Sequence, residues 1–299
     1  MILTLFCWVS LIAFIGFSAK KAMYYANMPQ HGRQDLYPIP LESEEKMHYG
    51  GSYFEEDNWN EKERHHNLKG EIIDMLVEML FIKKLFVNQN DFWWLSYSLH
   101  LGMYAAIAWS VLLVVGAFVP AGILFTIVNL LVTIAAESCA NFFIGADAVL
   151  YKRLCVRQYK IYTTPQEVFN LVALLAVGVT GLLTWFTTGM SFEYGYAMVR
   201  AMFSFSPLAA QFGGVVPAML VIHILLLGFI SFYIPLSKLS HYVGKFFTFH
   251  KVIWDNEPNM PGSKIEANII AAQQKPKNPN AKKWAAPHWN ETAPAEEQK

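Results

Sequence analysis

Five stretches of this chain are apolar over lengths that a water-soluble domain has no means of burying. They cover residues 1–18, 92–119, 121 to about 150, 168–187 and roughly 213–236. A helix rises about 1.5 Å per residue, so about 20 residues cross the ~30 Å hydrocarbon core of a bilayer. Backbone groups in that core must be satisfied within the protein, which restricts spanning segments to helices or closed barrels. With 54% hydrophobic and 15% charged residues in 299, the composition is that of an integral membrane protein. The expected fold is all-α, a bundle of five transmembrane helices.

The formal net charge of zero conceals an asymmetric placement. With the N-terminus outside and five spans, 22 of the 23 Lys and Arg fall on the inner side and only Arg200 falls outside. This is a strong positive-inside bias, and four or six spans would put blocks of lysine on the wrong side. The expected location is therefore the cell inner membrane, multi-pass, with the C-terminus cytosolic. No charge precedes residues 1–18, and Lys20 and Lys21 follow them. That pattern favours an uncleaved first helix, with a cleaved secretory signal as the alternative.

Between the spans the chain divides into a cytosolic segment, 19–92, and a cytosolic tail, 242–299, either side of a membrane bundle over 93–241. The first segment holds Pro29, Pro38, Pro40 and a run of acidic residues from Glu42. Its His31, His48, His65 and His66 read as solvated loop residues; the adjacent His65–His66 pair as a metal site is the lesser alternative. From Glu71 to Phe86 apolar residues recur at helical spacing, ending near Lys83 and Lys84. This suits an amphipathic helix lying at the inner interface, or one packed on a partner subunit. Trp93 and Trp94 open the second span as an interfacial aromatic belt. Thr164 and Pro165 are the cap and first position of the fourth helix. Residues 188–212, aromatic and poor in charge, are expected to lie flat on the outer interface. The Pro-, Lys- and Asn-rich tail is expected to order against a partner.

Cysteine chemistry contributes little. Cys7, Cys139 and Cys155 form no C-x-x-C pair, so no iron–sulfur, zinc or covalent haem motif is present. Nothing points to a nucleic-acid partner. Glu137 and Asp147 lie inside the third span, where a carboxylate is costly and normally faces the bundle interior. Glu137 is a candidate proton-path residue, the alternative being a carboxyl hydrogen-bonded to a neighbouring Ser, Thr or carbonyl.

The histidines carry the chemistry. His223 and His241 are 18 residues apart, five helical turns, which puts both rings on one face about 27 Å apart if one helix holds them. Pro235 between them is expected to bend that helix. His100 lies about two turns inside the second span, toward its cytosolic end, at the depth of His241. The two imidazoles are therefore placed to share one iron, which gives a low-spin, electron-transferring haem.

The fifth span reads H-x-x-x-x-G-x-x-x-x-x-x-P-x-S-K-L-x-H, from His223 through Gly228 and Pro235 to His241, and the second holds Trp94, Ser96, His100 and Gly102 as W-x-S-x-x-x-H-x-G. These patterns, with residues 163–184, resemble the membrane cytochrome b (gamma) subunit of respiratory nitrate reductase. The long segment before the second span and the KKWAAPH stretch, 282–288, are more similar to the family's sulfur-metabolism branch. That branch comprises the cytochrome b subunits of dissimilatory sulfite reduction, of membrane-bound heterodisulfide reductase and of the Tmc complex. The resemblance covers the membrane part, about two-thirds of the chain. It implies one or two haems b, with His100, His241 and His223 as axial ligands. It also implies menaquinone as substrate and a cytosolic iron–sulfur subunit like that of heterodisulfide reductase. A periplasmic multihaem cytochrome c and other membrane subunits are further partners the resemblance suggests.

The family has a second histidine ten residues after the first. Here Ser110 stands in that place, so an outer haem would have His223 as its one evident protein ligand. The family's quinol-linked lysine between the second and third spans has no counterpart in residues 111–128. Ser110, Arg200 and Glu137 are the remaining candidates for a quinone or proton site. The expected function is electron relay between the menaquinone pool, or an external cytochrome, and a cytosolic iron–sulfur subunit, with no catalytic residue of its own. The alternatives are a nitrate reductase gamma subunit, or a non-redox membrane scaffold with proton-active histidines.

Overall fold

Residues 1–27 and 68–248, with positions 262, 267, 270 and 271, are described by a computed structural model, and the described residues contain helices and no strand. In chain order the helices are α1 (Ile2–Ala26), α2 (Leu68–Phe81), α3 (Lys83–Asn88), α4 (Asn90–Phe118), α5 (Ile123–Ser138), α6 (Ala140–Cys155), α7 (Arg157–Lys160), α8 (Pro165–Thr187), α9 (Glu193–Phe203), α10 (Ala218–Leu236) and α11 (His241–Thr248). Five are long and apolar enough to cross a membrane: α1, α4, the 33-residue rod of α5 and α6, α8 and α10. The protein is thus a multi-pass membrane protein, with helix as its one kind of regular structure among the described residues. The expected segments at 28–67 and most of the tail, including His31, His48, His65, His66 and residues 282–288, lie outside the described residues.

Local chemistry sets the helix ends. α8 begins in a reciprocal capping box: the Thr164 N–H donates to Glu167 Oε2 at 2.8 Å, and Pro165 opens the first turn. Both features satisfy or remove donors that a helix start leaves unpaired. α5 and α6 meet at Cys139, whose backbone stays helical (φ −63°, ψ −17°). Its N–H lies 3.2 Å from Ala135 O and 3.1 Å from Ala136 O, so the third span is one rod with a tightened turn.

The amphipathic stretch expected over 71–86 is two helices rather than one. Ile82 adopts a left-handed conformation, φ 52°, and the Lys84 N–H donates to the buried Glu78 carboxylate at 2.7 Å. That side chain supplies an acceptor which a continuous helix would have taken from the backbone. Trp93 is also not a lipid-facing belt residue: it is buried, and its indole donates to Phe81 O at 2.7 Å. Trp94 beside it is exposed.

The chain forms two units. The first, Met1–Lys20 with Leu76–Tyr242, contains the bundle. Glycines let its helices approach. A Cβ at Gly102 would overlap the Phe142 backbone, and one at Gly145 would overlap Leu99, so α4 and α6 run antiparallel in backbone contact. Close crossings at small residues are how membrane helices gain packing energy. Gly178 on α8 leaves space for Phe143 on α6, and Arg153 pairs with Glu167 at 3.3 Å nearer the start of α8. α8 and α10 are antiparallel too: the Tyr233 hydroxyl donates to the buried Asn170 Oδ1 at 2.7 Å. α1 runs parallel to α10, crossing at Gly228, where a Cβ would strike Phe6. Lys152, Arg153, Arg157, Lys160 and Lys238 gather at one end of these helices, the basic end, and Arg200 sits on α9 at the other.

Residues 188–212 are not a flat loop. α9 turns Tyr196, Ala197, Val199 and Ala201 inward, because one apolar face of a helix gains most by packing on other helices. Tyr196 fills the space left by Gly116 on α4 and donates to Asn129 Oδ1 on α5 at 3.0 Å. α1 fixes the last turn of α9 and the chain just beyond it: Trp8 donates to Met202 O, and Thr4 to Ser206 O, each at 2.8 Å.

The second unit, Lys21–Met75 with Val243–Lys299, includes the ends of α1 and α11, where Tyr25 and Phe247 pack with ring centroids 5.8 Å apart.

Candidate haem site

His223 and His241 do not share a helix. α10 stops at Leu236, Ser237 is extended (φ −105°, ψ −176°), and a 3-10 turn, Lys238–Ser240, leads to His241 at the start of α11. Pro235 brings no backbone donor, and the Ser237 hydroxyl accepts the Leu239 N–H at 3.1 Å, so the backbone has a local alternative to helix. The five-turn spacing argument therefore fails past Leu236, and the turn determines where His241 stands.

That turn is held on several sides. The buried Ser240 hydroxyl donates to Ser237 O at 2.7 Å. Lys238 Nζ lies 3.7 Å from Glu167 Oε1 and 3.5 Å from Thr164 Oγ1, tying the turn to the start of α8. Glu167 meanwhile holds Arg153 of α6.

His241 and His100 come together at the basic end. Their ring centroids are 6.1 Å apart and their planes 71° apart. A metal–imidazole nitrogen bond is about 2.0–2.1 Å and the nitrogen lies about 1.1 Å from its ring centroid. Two imidazoles that held one metal between them would bring their centroids to about 6.3 Å. The observed separation is of that order, so His100 and His241 are the residues that would hold a haem iron here. His100 Nδ1 lies 2.6 Å from Ser96 O. A carbonyl only accepts, so Nδ1 carries the proton and the ligating lone pair is on Nε2, the outer hydrogen bond that orients a metal-binding imidazole. His241 is exposed and His100 half-buried.

Tyr104, which the sequence reading did not single out, and Trp93, which it read as a belt residue, pack at this end of α4. Tyr104, one turn along α4, has its ring 6.3 Å from His100 and donates its hydroxyl to Met79 O. Trp93 stacks on Tyr97 at 4.8 Å while bonding Phe81 O. The end of α2 is thereby pinned beside His100. An i, i+4 His–Tyr pair on one span was the available signal.

His223 is half-buried against α8. Its Nδ1 is 3.2 Å from Thr180 Oγ1, and a Cβ at Gly181 would come within 3.0 Å of its Cε1. Thr180 Oγ1 also lies 2.8 Å from Ala176 O and 3.0 Å from Val177 O, carbonyls that only accept, so a hydroxyl donating to either leaves its oxygen to accept from His223. Ser110, Arg200 and Glu137 do not join it. Ser110 is exposed and donates to Ala106 O at 2.8 Å within its own helix. Arg200 is exposed on α9. Glu137 was expected to face the interior; it is exposed, because Val132, Gly145, Ala146 and Val149 take the buried side of the third span.

A different pair of donors stands at the α9 end. Among the described residues the buried side-chain polar atoms without a hydrogen-bond partner are the indole nitrogens of Trp109 and Trp185. Both rings pack on Phe192, at 6.0 and 6.4 Å between centroids. Just before Phe192 the backbone takes positive φ at Gly189 (83°) and Met190 (54°). Trp185 is one turn beyond Gly181, which faces His223. Two indole donors without a protein acceptor thus pack on one phenylalanine, next to the left-handed turn at Met190.

Comparison with protein-family models, with curated proteins and with solved structures gives no match.

Proposed function

We propose that this chain is a membrane cytochrome b, similar to the gamma subunit of respiratory nitrate reductase and nearer to its sulfur-metabolism relatives. In this reading it relays electrons between the menaquinone pool and a cytosolic iron–sulfur subunit. The observation that carries the proposal is the 6.1 Å separation of the His100 and His241 rings, with the His100 tautomer fixed by Ser96. The haem, when bound, supplies one-electron redox chemistry. The protein's part is positional: Ser96 orients His100, and the Ser237–Ser240 turn with its Lys238–Glu167 tie presents His241. The basic end would face the cytosol by the positive-inside bias. An iron–sulfur partner there would meet the bis-histidine site first.

His223 would hold a second haem through a single imidazole, with Gly181 providing clearance and Thr180 fixing the tautomer. The Trp109 and Trp185 indoles then offer donors for the oxygens of a quinone at the same end, in place of the lysine this chain lacks. The Thr180–His223 hydrogen bond also suits a non-redox chain whose histidines move protons. A reduced-minus-oxidised visible spectrum of the purified protein separates the two: a b-type α-band supports the cytochrome, and its absence in protein prepared with haem supply overturns it.

A further inference from the structure

The outward face of the third span carries a stripe that lipid alone does not suit. Glu137, Ala140, Ile144, Asp147, Tyr151 and Leu154 recur at intervals of three and four, and all six are exposed. A 3-4 repeat along a helix is the seam along which a second helix packs. On a lipid-facing surface its apolar members need no explanation, but its carboxylates do. Any stretch of about 20 residues taken from Ile123–Cys155, as the hydrocarbon core requires, includes Glu137. Wherever the bilayer sits along this rod, that carboxylate lies within it. Intramembrane carboxylates normally face protein or water and are paired there. Neither Glu137 nor Asp147 has an ion pair or side-chain hydrogen bond among the described residues.

The occupant is constrained by charge. Residues 1–19, 92–151, 168–187 and 213–237 contain no Lys or Arg, and Glu137 and Asp147 are their only acidic residues. A second copy of this chain would therefore bring no Lys or Arg to membrane depth, its span histidines His100 and His223 stand on other helices, and a symmetric seam would set carboxylate against carboxylate. We infer that the stripe Glu137–Leu154 is the docking face for a transmembrane helix of a different membrane subunit, one carrying Lys, Arg or His opposite Glu137. Ten residues separate Glu137 from Asp147, about 15 Å along the axis, so a donor at each height would align the two helices in one register. Ala140, small and between them, permits close approach. This inference stands on exposure and charge and does not need the haem.

The test pairs Glu137→Leu with Ile144→Cys. The complex is extracted from its native membrane in mild detergent, and its membrane polypeptides are quantified per copy of this chain. The Leu variant is expected to lose a membrane subunit at least tenfold, whereas this chain purified alone becomes more heat-stable, since an unpaired carboxylate has been removed. Cysteine cross-linking from position 144 is expected to reach a transmembrane peptide of that subunit bearing a cation at the matching height, identified by mass spectrometry. Unchanged complex composition with a stabilised chain would mean that lipid covers the stripe and would overturn the inference. A cross-linked dimer of this chain at position 144 would overturn it equally.

Discussion

The rings of His100 and His241 meet edge-on with centroids 6.1 Å apart although 141 residues separate them in the chain. Neither helix geometry nor a short loop brings them together. α4 is held against α6 by glycines, α6 and α10 are both tied to α8, and the turn after Pro235 places the second imidazole. The candidate site therefore depends on contacts some distance from it.

Gly102 is the nearest such contact, two residues from His100 and in backbone contact with Phe142. Gly102→Ala is expected to lower stability by roughly 1–3 kcal/mol, since the added Cβ must displace backbone rather than a flexible side chain. Gly16→Ala, inside α1 where nothing lies within 4 Å of the added atom, is the control and should not lower the melting temperature. Thermal unfolding in detergent, followed by circular dichroism, checks both.

Trp109→Phe and Trp185→Phe each remove a buried donor that the protein itself does not use. Without ligand, neither variant should lose stability. Binding of a hydroxyquinoline N-oxide quinol analogue should weaken up to about tenfold in each, the worth of one neutral hydrogen bond. Trp8→Phe, whose indole is already satisfied by Met202 O, should bind the analogue normally. Equal binding in all three would show that the orphaned indoles serve no quinone.

Much of the bundle was legible in the chain because the bilayer imposes a length and a polarity that each span must meet. The start of α8 was legible because Thr164, Pro165 and Glu167 form a local signal. What escaped had non-local or competing causes. The end of α10 depends on the Ser237 hydroxyl outcompeting a helical bond, and the break at Ile82 on the buried Glu78. The inward face of α9 exists only against Gly116 and Asn129. Glu137 faces outward although burial rules favour the interior, which is the discrepancy from which the docking face follows. The approach of His100 to His241 was expected from depth alone, but the helix assumed to carry His223 to His241 does not exist.

The orientation proposed here, basic end toward the cytosol, rests on the placement of the lysines. A cysteine at Ser204, beyond α9, should react with a membrane-impermeant maleimide added to intact cells, and one at Lys160 should react only after lysis. The reverse pattern would invert the bundle and move the His100–His241 pair to the outside.

At His223 the account predicts a haem with one protein ligand. Electron paramagnetic resonance should show a high-spin ferric signal that His223→Ala removes while the low-spin signal persists. One haem per chain with a low-spin signal alone would leave His223 to proton or quinol contact.

The most direct measurement is the low-spin spectrum itself, taken on the wild type, His100→Ala and His241→Ala at matched protein concentration. The account predicts a b-type α-band and a bis-imidazole resonance in the wild type, and loss of that same resonance in both variants with the protein still folded. A bis-imidazole spectrum retained by either variant would contradict the pairing of His100 with His241 on one iron.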